Sequence, residues 1–352
     1  MKINKLAYFN MRALFMGIGI SKILSLSKEF TLISILIGTV LGVIFLYFYK
    51  NHLNNKFINI IVNSSLILIG LMILINMISS HYLNDTPKLI IGFPLLLLLL
   101  YVSNKKYKVL LRLSNILFVI NICIFFISFL SLIPHIDFSS FYYTNTSFIK
   151  VLLGSLYYML LSITPTLVVK NNDDLIRTYL LSTLTLLFWF VITYSVLGSY
   201  LVDILRYPEY VILKDVKLGS GIENIENIIS FMWMIDVIIL LINSVINLKD
   251  CFKDIKNVYL TISILFVIVS LFNINYVILN FIYNNILIII SLLFLMCIIS
   301  NKKTHYWVFF MLYKIIIKWG IIKNLVKYIM LNVSLLLAWY ITLNININIR
   351  NI

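Results

Sequence analysis

The stretch KLIIGFPLLLLLLYVSNKKYKVLLRLSNILFVINICIFFISFLSLI, residues 88–133, decides the fold class. It holds two apolar runs, 88–103 and 109–133, on either side of a short basic connection. A helix needs roughly 20 apolar residues to cross the hydrocarbon core of a bilayer, so the second run is long enough and the first is short. Neither run alternates polar and apolar residues as the strands of a membrane barrel do. The stretch therefore predicts two membrane-spanning helices joined by a basic turn.

The same pattern recurs along the whole chain. Of its 352 residues, 62% are hydrophobic and only 12% are charged, whereas about a quarter of the residues in a soluble domain are charged. Only helices and closed barrels satisfy their backbone in lipid. We therefore predict an all-α integral membrane protein with about ten spans. They lie at 6–25, 30–49, 57–79, 88–103, 109–133, 147–169, 177–202, 226–248, 257–275 and 280–300.

The net charge of +15 is spread over short basic clusters between the apolar runs. When the N-terminus is placed in the cytoplasm, most lysines and arginines fall in the cytoplasmic connections, as the positive-inside rule requires. The charge therefore predicts topology in a lipid bilayer, with a cytoplasmic N-terminus, and not a nucleic-acid partner. Residues 1–303 form the predicted ten-span domain. In the extension 304–352, an interfacial basic helix precedes an apolar run that can form an eleventh span.

The sequence holds no signature of catalysis or of metal binding. It lacks HExxH, P-loop and GxSxG motifs, and its cysteines and histidines form no ligand cluster. We therefore predict that the chain is not an enzyme and that it binds neither a metal ion nor a cofactor.

Span one contains Gly17, Gly19 and Ser21 near its middle. Glycine weakens a helix and exposes its backbone polar groups. Two interpretations remain open. The small residues can allow close helix packing, or they can mark an unwound stretch whose backbone binds a ligand.

Span six contains Ser162, Thr164 and Pro165, one turn after Tyr158. Proline cannot donate its backbone N–H and clashes with the preceding turn, which predicts a kink. The freed carbonyls either face a ligand or are capped by the neighbouring hydroxyls. Spans one and six each begin one five-span half of the chain. Broken helices at corresponding positions of two inverted halves indicate a midplane substrate site in transporters.

Polar side chains inside the other spans are fewer. Asp236 lies about ten residues into span eight. A carboxylate in lipid is costly, so it should face protein or water, be protonated, or mark a function. Arg12 is a conceivable partner. Asn76, Asn121 and Asn243 also lie within spans, where we expect them to form hydrogen bonds between helices.

The external connection 203–225 carries mixed charges and is interrupted by Pro208. This composition favours a water-exposed loop or a surface helix.

Three short motifs in and after this connection resemble the B subunits of spore germinant receptors. They are YPE at 207–209, GIENIE at 221–226 and FMW at 231–233. ISILIG at 33–38 in span two and GSL at 154–156 in span six are also similar to that family. The resemblance covers about residues 6–303 and preserves the ten-span layout.

The resemblance implies the fold of the amino acid/polyamine/organocation superfamily, with a LeuT-like inverted repeat. It implies a nutrient-sensing subunit of the inner spore membrane that acts with an A subunit and a lipoprotein C subunit. A small germinant such as an amino acid would bind between broken spans one and six. The residues implied at that site are Gly17, Gly19, Ser21, Tyr158, Ser162, Thr164 and Pro165. The residues implied at an outer gate or partner contact are Tyr207, Pro208, Glu209, Glu223 and Glu226.

The chain departs from the family pattern at several points. Ile163, Thr164 and Pro165 stand where the family often has Gly-Phe-Glu-like residues, and Asn224 replaces an arginine. Two alternatives to a germinant sensor therefore remain. One is an amino-acid or ion-coupled permease, since the fold alone does not decide between sensing and transport. The other is an interaction subunit that binds no ligand.

Overall fold

The computed structural model describes residues 3–15, 19–48, 56–137, 146–170, 174–205, 207–212, 226–252, 254–274, 285 and 289–294. These residues are helical or lie in turns and connections, and no strand occurs among them. The chain divides into two units, Met1–Asn301 and Lys302–Ile352. The predicted interfacial helix and eleventh span fall in the second unit, which lies outside the described residues.

Eleven helices are described in full. They are α1 Lys5–Ala13, α2 Ile20–Ser27, α3 Thr31–Phe48, α4 Lys56–His81, α5 Lys88–Ser103, α6 Tyr107–Leu132, α7 Phe148–Ile163, α8 Leu175–Ile204, α9 Pro208–Val211, α10 Glu226–Cys251 and α11 Ile255–Ile274. Short 3-10 turns occupy Lys28–Phe30, Ile133–His135 and Thr166–Val168. Residues 289–294, within predicted span ten, are also helical.

Six segments of the described chain are long and apolar enough to cross a membrane. They are Ile20–Tyr47, Lys56–His81, Tyr107–His135, Phe148–Val168, Leu175–Gly198 and Ser230–Cys251. Two shorter apolar helices are Lys88–Ser103 and Ile255–Leu271. Large apolar side chains on the outer faces remain exposed, for example Leu36, Ile116 and Leu260. An all-helical membrane protein with several spans accounts for these exposed faces, because lipid is their solvent.

The first of these segments, Ile20–Tyr47, reverses direction near its N-terminal end. The Oγ atoms of Ser27 and Ser34 lie 2.8 Å apart, although seven residues of straight helix span about 10.5 Å. The backbone of Lys28 has a φ of 45° at the reversal. Helices α2 and α3 are therefore the two arms of a hairpin, as the predicted boundary between spans one and two requires.

The predicted interruption of span six is present, and span one is described as two separate helices. Helix α7 ends at Ile163, directly before Thr164 and Pro165, and a 3-10 turn follows. In span one, α1 ends at Ala13 and α2 begins at Ile20. Met16, Gly17 and Ile18, which connect the two helices, are outside the described residues.

Small residues set the distance between the central helices. A Cβ atom at Gly38 of α3 would lie 2.6 Å from the backbone oxygen of Ser155 in α7. A Cβ atom at Gly70 of α4 would lie 2.8 Å from a methyl group of Leu241 in α10. Helices in lipid approach closely through such residues, because packing replaces the hydrophobic effect as the main attraction between them.

Candidate functional site

A buried ion pair joins the first helix to the tenth. Arg12 Nε of α1 lies 3.2 Å from Asp236 Oδ2 of α10, and both side chains are 0% exposed. The two atoms are close but not aligned as a hydrogen bond. The partner considered for Asp236 on sequence grounds is thus confirmed. Each charge is costly in lipid, and the opposite charge offsets part of that cost.

Three neutral side chains complete a polar network around the pair. Arg12 Nη1 donates to Asn121 Oδ1 of α6 at 3.0 Å and to the Tyr8 hydroxyl. Asn121 Nδ2 donates to Asp236 Oδ1 at 3.2 Å. The Tyr8 hydroxyl also lies 3.5 Å from Thr185 Oγ1 of α8. The network therefore links α1, α6, α8 and α10, and the interhelical hydrogen bond predicted for Asn121 is confirmed.

Local helix geometry explains why α1 supplies two members of this network. Tyr8 and Arg12 are four residues apart, and side chains at that spacing lie on one face of a helix. The guanidinium carbon of Arg12 lies 4.9 Å from the centre of the Tyr8 ring and 5.2 Å from that of Trp233. Aromatic faces attract a cation, most strongly where water is excluded. The Trp233 ring in turn meets that of Trp189 at 5.6 Å.

The break in span six is satisfied mainly by its own hydroxyls. Thr166 Oγ1 donates towards the carbonyl oxygens of Ser162 and Ile163, at 3.2 and 2.5 Å. Ser162 Oγ donates to the carbonyl oxygen of Tyr158 at 2.8 Å. Two carbonyl groups at the end of α7, those of Ser162 and Ile163, are therefore capped by a neighbouring hydroxyl. At these two positions the structure favours capping, one of the two alternatives left open by the sequence.

Two further groups at this break differ in their partners. The hydroxyl of Tyr158 donates to Thr183 Oγ1 at 2.9 Å. Thr164 Oγ1 is buried and has no hydrogen-bond partner among the described residues. Beyond the 3-10 turn, Asn247 Nδ2 of α10 donates to the carbonyl oxygen of Val168 at 2.7 Å. The break is thus anchored to α10, and Thr164 offers a free hydroxyl inside it.

The described part of the break in span one packs directly on span six. A Cβ atom at Gly19 would lie 2.9 Å from Leu161 Cδ1 of α7 and 2.8 Å from Phe15 Cδ1. Gly19 therefore serves close packing in this conformation, and Ser21 is half-buried. The contact between Gly19 and Leu161 brings the two predicted breaks together. Gly17 lies outside the described residues.

The predicted exposure of the stretch from Tyr207 to Tyr210 is wrong. All four of its residues are buried, and the Glu209 side chain is only 1% exposed. The His81 ring at the end of α4 stacks on Tyr210 at 4.0 Å and meets Tyr207 edge-on at 5.0 Å. Helix α9, which begins at Pro208, also contacts α2 and α8. Aromatic packing thus buries this stretch despite its charged neighbours.

The remaining predicted residues have different outcomes. Glu223 is outside the described residues, and of Glu226 the structure describes only the backbone, at the start of α10. Asn76 accepts a hydrogen bond from Lys88 Nζ of α5 at 3.0 Å, as predicted. Asn243 has no such bond within the described part of the chain, contrary to the prediction.

Sequence reasoning missed Tyr8, Thr185, Trp189 and Trp233 as members of the buried cluster. Only Tyr8 had a local signal, because it precedes Arg12 by one helical turn. The others come from distant helices whose facing sides the sequence does not specify.

Searches of protein-family models and of curated proteins found no match for this chain.

Proposed function

We propose that the chain is a nutrient-sensing B-type subunit of a spore germinant receptor. A small germinant such as an amino acid binds between broken spans one and six. The observation that carries the proposal is the contact of the two breaks, where Gly19 packs on Leu161, three residues before Thr164 and its unpartnered hydroxyl. Transporter-like folds use such paired interruptions to bind small polar molecules.

A ten-span LeuT-like inverted repeat is part of the proposal, and helix direction supports it. Gly19, directly before α2, lies against Leu161 of α7, while Ser27 at the other end of α2 lies against Gly154. Helix α2 therefore runs antiparallel to α7. Inverted halves require this relation between their first helices.

The packing partners of the helices also support an inverted repeat. Helix α4 packs on α10, and α5 packs on α11. Across these pairs, α4 contacts α11 and α10 contacts α5. Likewise α3 contacts α7, while α8 contacts α1 and α2. When each of spans one to five is exchanged with the span five positions later, α4 exchanges with α10, α5 with α11, and α3 with α8. The contact of α4 with α11 then becomes that of α10 with α5, and the contact of α3 with α7 becomes that of α8 with α1 and α2.

The arrangement suggests how a ligand would act. A germinant at the breaks favours one arrangement of α1 and α2 against α7 by its higher affinity for that arrangement. The ion pair between Arg12 and Asp236 transmits a shift of α1 to α10. The A and C subunits in the inner spore membrane then respond to the new arrangement.

One observation favours a second candidate, a subunit that joins the receptor without binding a ligand. Leu161 and Phe15 occupy the space beside Gly19, and the hydroxyls of Ser162 and Tyr158 already have partners. A site filled by the protein's own side chains leaves little for a germinant to contact.

Germination of spores that lack this chain tests the proposal. Loss of refractility is scored against a panel of amino acids, sugars and salts, and then repeated with Thr164→Val. This variant keeps the shape of the side chain and removes the free hydroxyl. We expect the deletion to abolish the response to one germinant. The variant should raise the half-maximal concentration of that germinant about tenfold, as loss of one hydrogen bond does.

Thr261→Val is the control, because it makes the same substitution outside the breaks, at a half-exposed residue whose hydroxyl bonds only within α11. It should respond like the unmodified chain. A normal response of the deletion strain to every compound would refute the sensor. A lost response in the deletion strain with normal behaviour of Thr164→Val would favour the subunit that binds no ligand.

A further inference from the structure

Besides Arg12 Nε, which faces Asp236 Oδ2, three buried N–H groups near the ion pair have no hydrogen-bond partner among the described residues. They are Arg12 Nη2, Trp233 Nε1 and Trp189 Nε1. Each side chain is at most 1% exposed. The Trp233 ring lies 5.2 Å from the Arg12 guanidinium and 5.6 Å from the Trp189 ring, so the three groups form one continuous cluster.

All three groups of the cluster are hydrogen-bond donors. Buried polar groups in native proteins are almost always hydrogen-bonded to protein, to water or to a ligand. Arginine and the indole nitrogen can donate hydrogen bonds but cannot accept them. These three groups therefore cannot satisfy one another, and the partner that they lack must be an acceptor.

The acceptors nearest the guanidinium lie at its other nitrogen atoms. Asp236 Oδ1 accepts from Asn121, and Asp236 Oδ2 lies 3.2 Å from Arg12 Nε without forming a hydrogen bond to it. Asn121 Oδ1 accepts from Arg12 Nη1. The Nη2 edge of the guanidinium is the edge left over, and it carries two hydrogens. Guanidinium groups bind carboxylates more strongly than neutral acceptors, because the hydrogen bonds are charge-assisted.

We propose that Arg12, Trp233 and Trp189 form a binding site for the carboxylate group of a small molecule. The site rests on the proposed sensor function and specifies its ligand class, because it requires a carboxylate on the germinant. Arg12 is in the last turn of α1, directly before the break in span one at which the proposed germinant binds. The nearby carboxylate of Asp236 keeps the unliganded cluster close to neutral.

The test uses the full-length protein purified in detergent, with acetate and acetamide as probes. The two molecules have nearly the same shape, but only acetate is an anion. Sodium acetate replaces sodium chloride at constant ionic strength, and the midpoint of heat denaturation is followed by light scattering. We expect acetate to raise the midpoint saturably and acetamide to leave it unchanged.

Two variants locate the effect. Trp233→Phe and Trp189→Phe keep an aromatic ring and each remove one N–H. Each should raise the half-saturating acetate concentration about tenfold, as loss of a hydrogen bond to a charged group does. Tyr157→Phe is the control, because it removes an equally buried hydroxyl without a described partner from α7. The control should respond to acetate like the unmodified protein.

Three results would overturn the site: no difference between acetate and chloride, an equal response to acetamide, or unchanged acetate dependence in both tryptophan variants. The first result is also what water molecules alone on these donors would give. If spores respond to a germinant through this chain but acetate does not stabilise the purified protein, the carboxylate site is refuted and the sensor function is retained. If acetate stabilises the purified protein through Trp233 but deletion of the chain leaves germination normal, the carboxylate site is retained and the sensor function is refuted.

Discussion

The hydrogen bonds of the cluster around Arg12 and those of the break in span six differ in whether they join separate helices. At the cluster, side chains from α1, α6, α8 and α10 pair across helix boundaries. At the break, Thr166 and Ser162 bond mainly to carbonyl groups of their own segment. A hydrogen bond within one segment survives any rigid movement of that segment, whereas a bond between helices does not. The bonds of the cluster therefore depend on the mutual position of the helices, whereas the caps of the break depend mainly on the conformation of its own segment.

The largest expected effect comes from removing one charge of the buried pair. Asp236→Asn leaves Arg12 as an uncompensated buried cation, which should destabilise the protein by about 3–5 kcal/mol. Denaturation by heat or detergent of the purified protein measures the loss. Asp254→Asn, on a residue in the exposed connection before α11, is the control. Unaltered stability of Asp236→Asn would mean that the pair does not hold α1 against α10.

A smaller effect is expected from the neutral bridge in the same cluster. Asn121→Ala removes the side chain that joins Arg12 to Asp236, so both lose a hydrogen bond. We expect a loss of about 1–3 kcal/mol, as for other buried groups left without a partner. Ser114→Ala on the same helix removes only a bond within α6 and should have less effect. Equal losses in the two variants would contradict the contrast between bonds across helices and bonds within them.

Removing a local cap of the break should reduce stability less than removing Asn121. Thr166→Val removes the hydroxyl that caps Ser162 and Ile163. Stability should fall by about 1 kcal/mol, which is typical of one hydrogen bond. The heat-denaturation midpoint measures this loss beside that of Asn121→Ala. If Thr166→Val cost as much as Asp236→Asn, the break and not the cluster would dominate the stability of the core.

The smallest effect is expected from an ion pair at the water-facing end of the same region. Lys170 pairs with Asp250, and both side chains are partly exposed. Such pairs contribute less than about 1 kcal/mol, so Lys170→Ala should hardly change the denaturation midpoint. Its small effect should vanish in about 1 M salt, which screens exposed charges. The loss in Asp236→Asn should persist in salt, and a loss that disappeared would place water around Asp236.

The sequence predicted the helices well because the bilayer imposes their length and composition. Span four, for example, was predicted at 88–103 and is observed as Lys88–Ser103. The interruption of span six followed from the chemistry of proline, whereas the glycines of span one left close packing and unwinding as alternatives. The sequence indicated the two members of the ion pair, because Arg12 and Asp236 are charges in apolar runs. It did not establish their pairing, which depends on the rotation of each helix about its axis.

The contacts that the sequence did not predict depend on packing between distant segments. Burial of Glu209 and its neighbours results from aromatic contacts with His81, more than a hundred residues earlier. Trp189 and Trp233 are two apolar residues among many until α8 and α10 bring their rings together. Composition indicates that a helix is apolar, but it does not identify which of its faces meets which neighbour.

The double variant Arg12→Gln with Asp236→Asn tests most directly whether the pair couples α1 to α10. Both changes remove the charge; Asp236→Asn keeps the size of the side chain, and Arg12→Gln shortens it but keeps a polar end. Replacing a whole buried pair is often close to neutral, whereas breaking it is not. We predict that the double variant denatures at a higher temperature than either single variant. Losses that simply add in the double variant would show that Arg12 and Asp236 act independently, and would contradict the account.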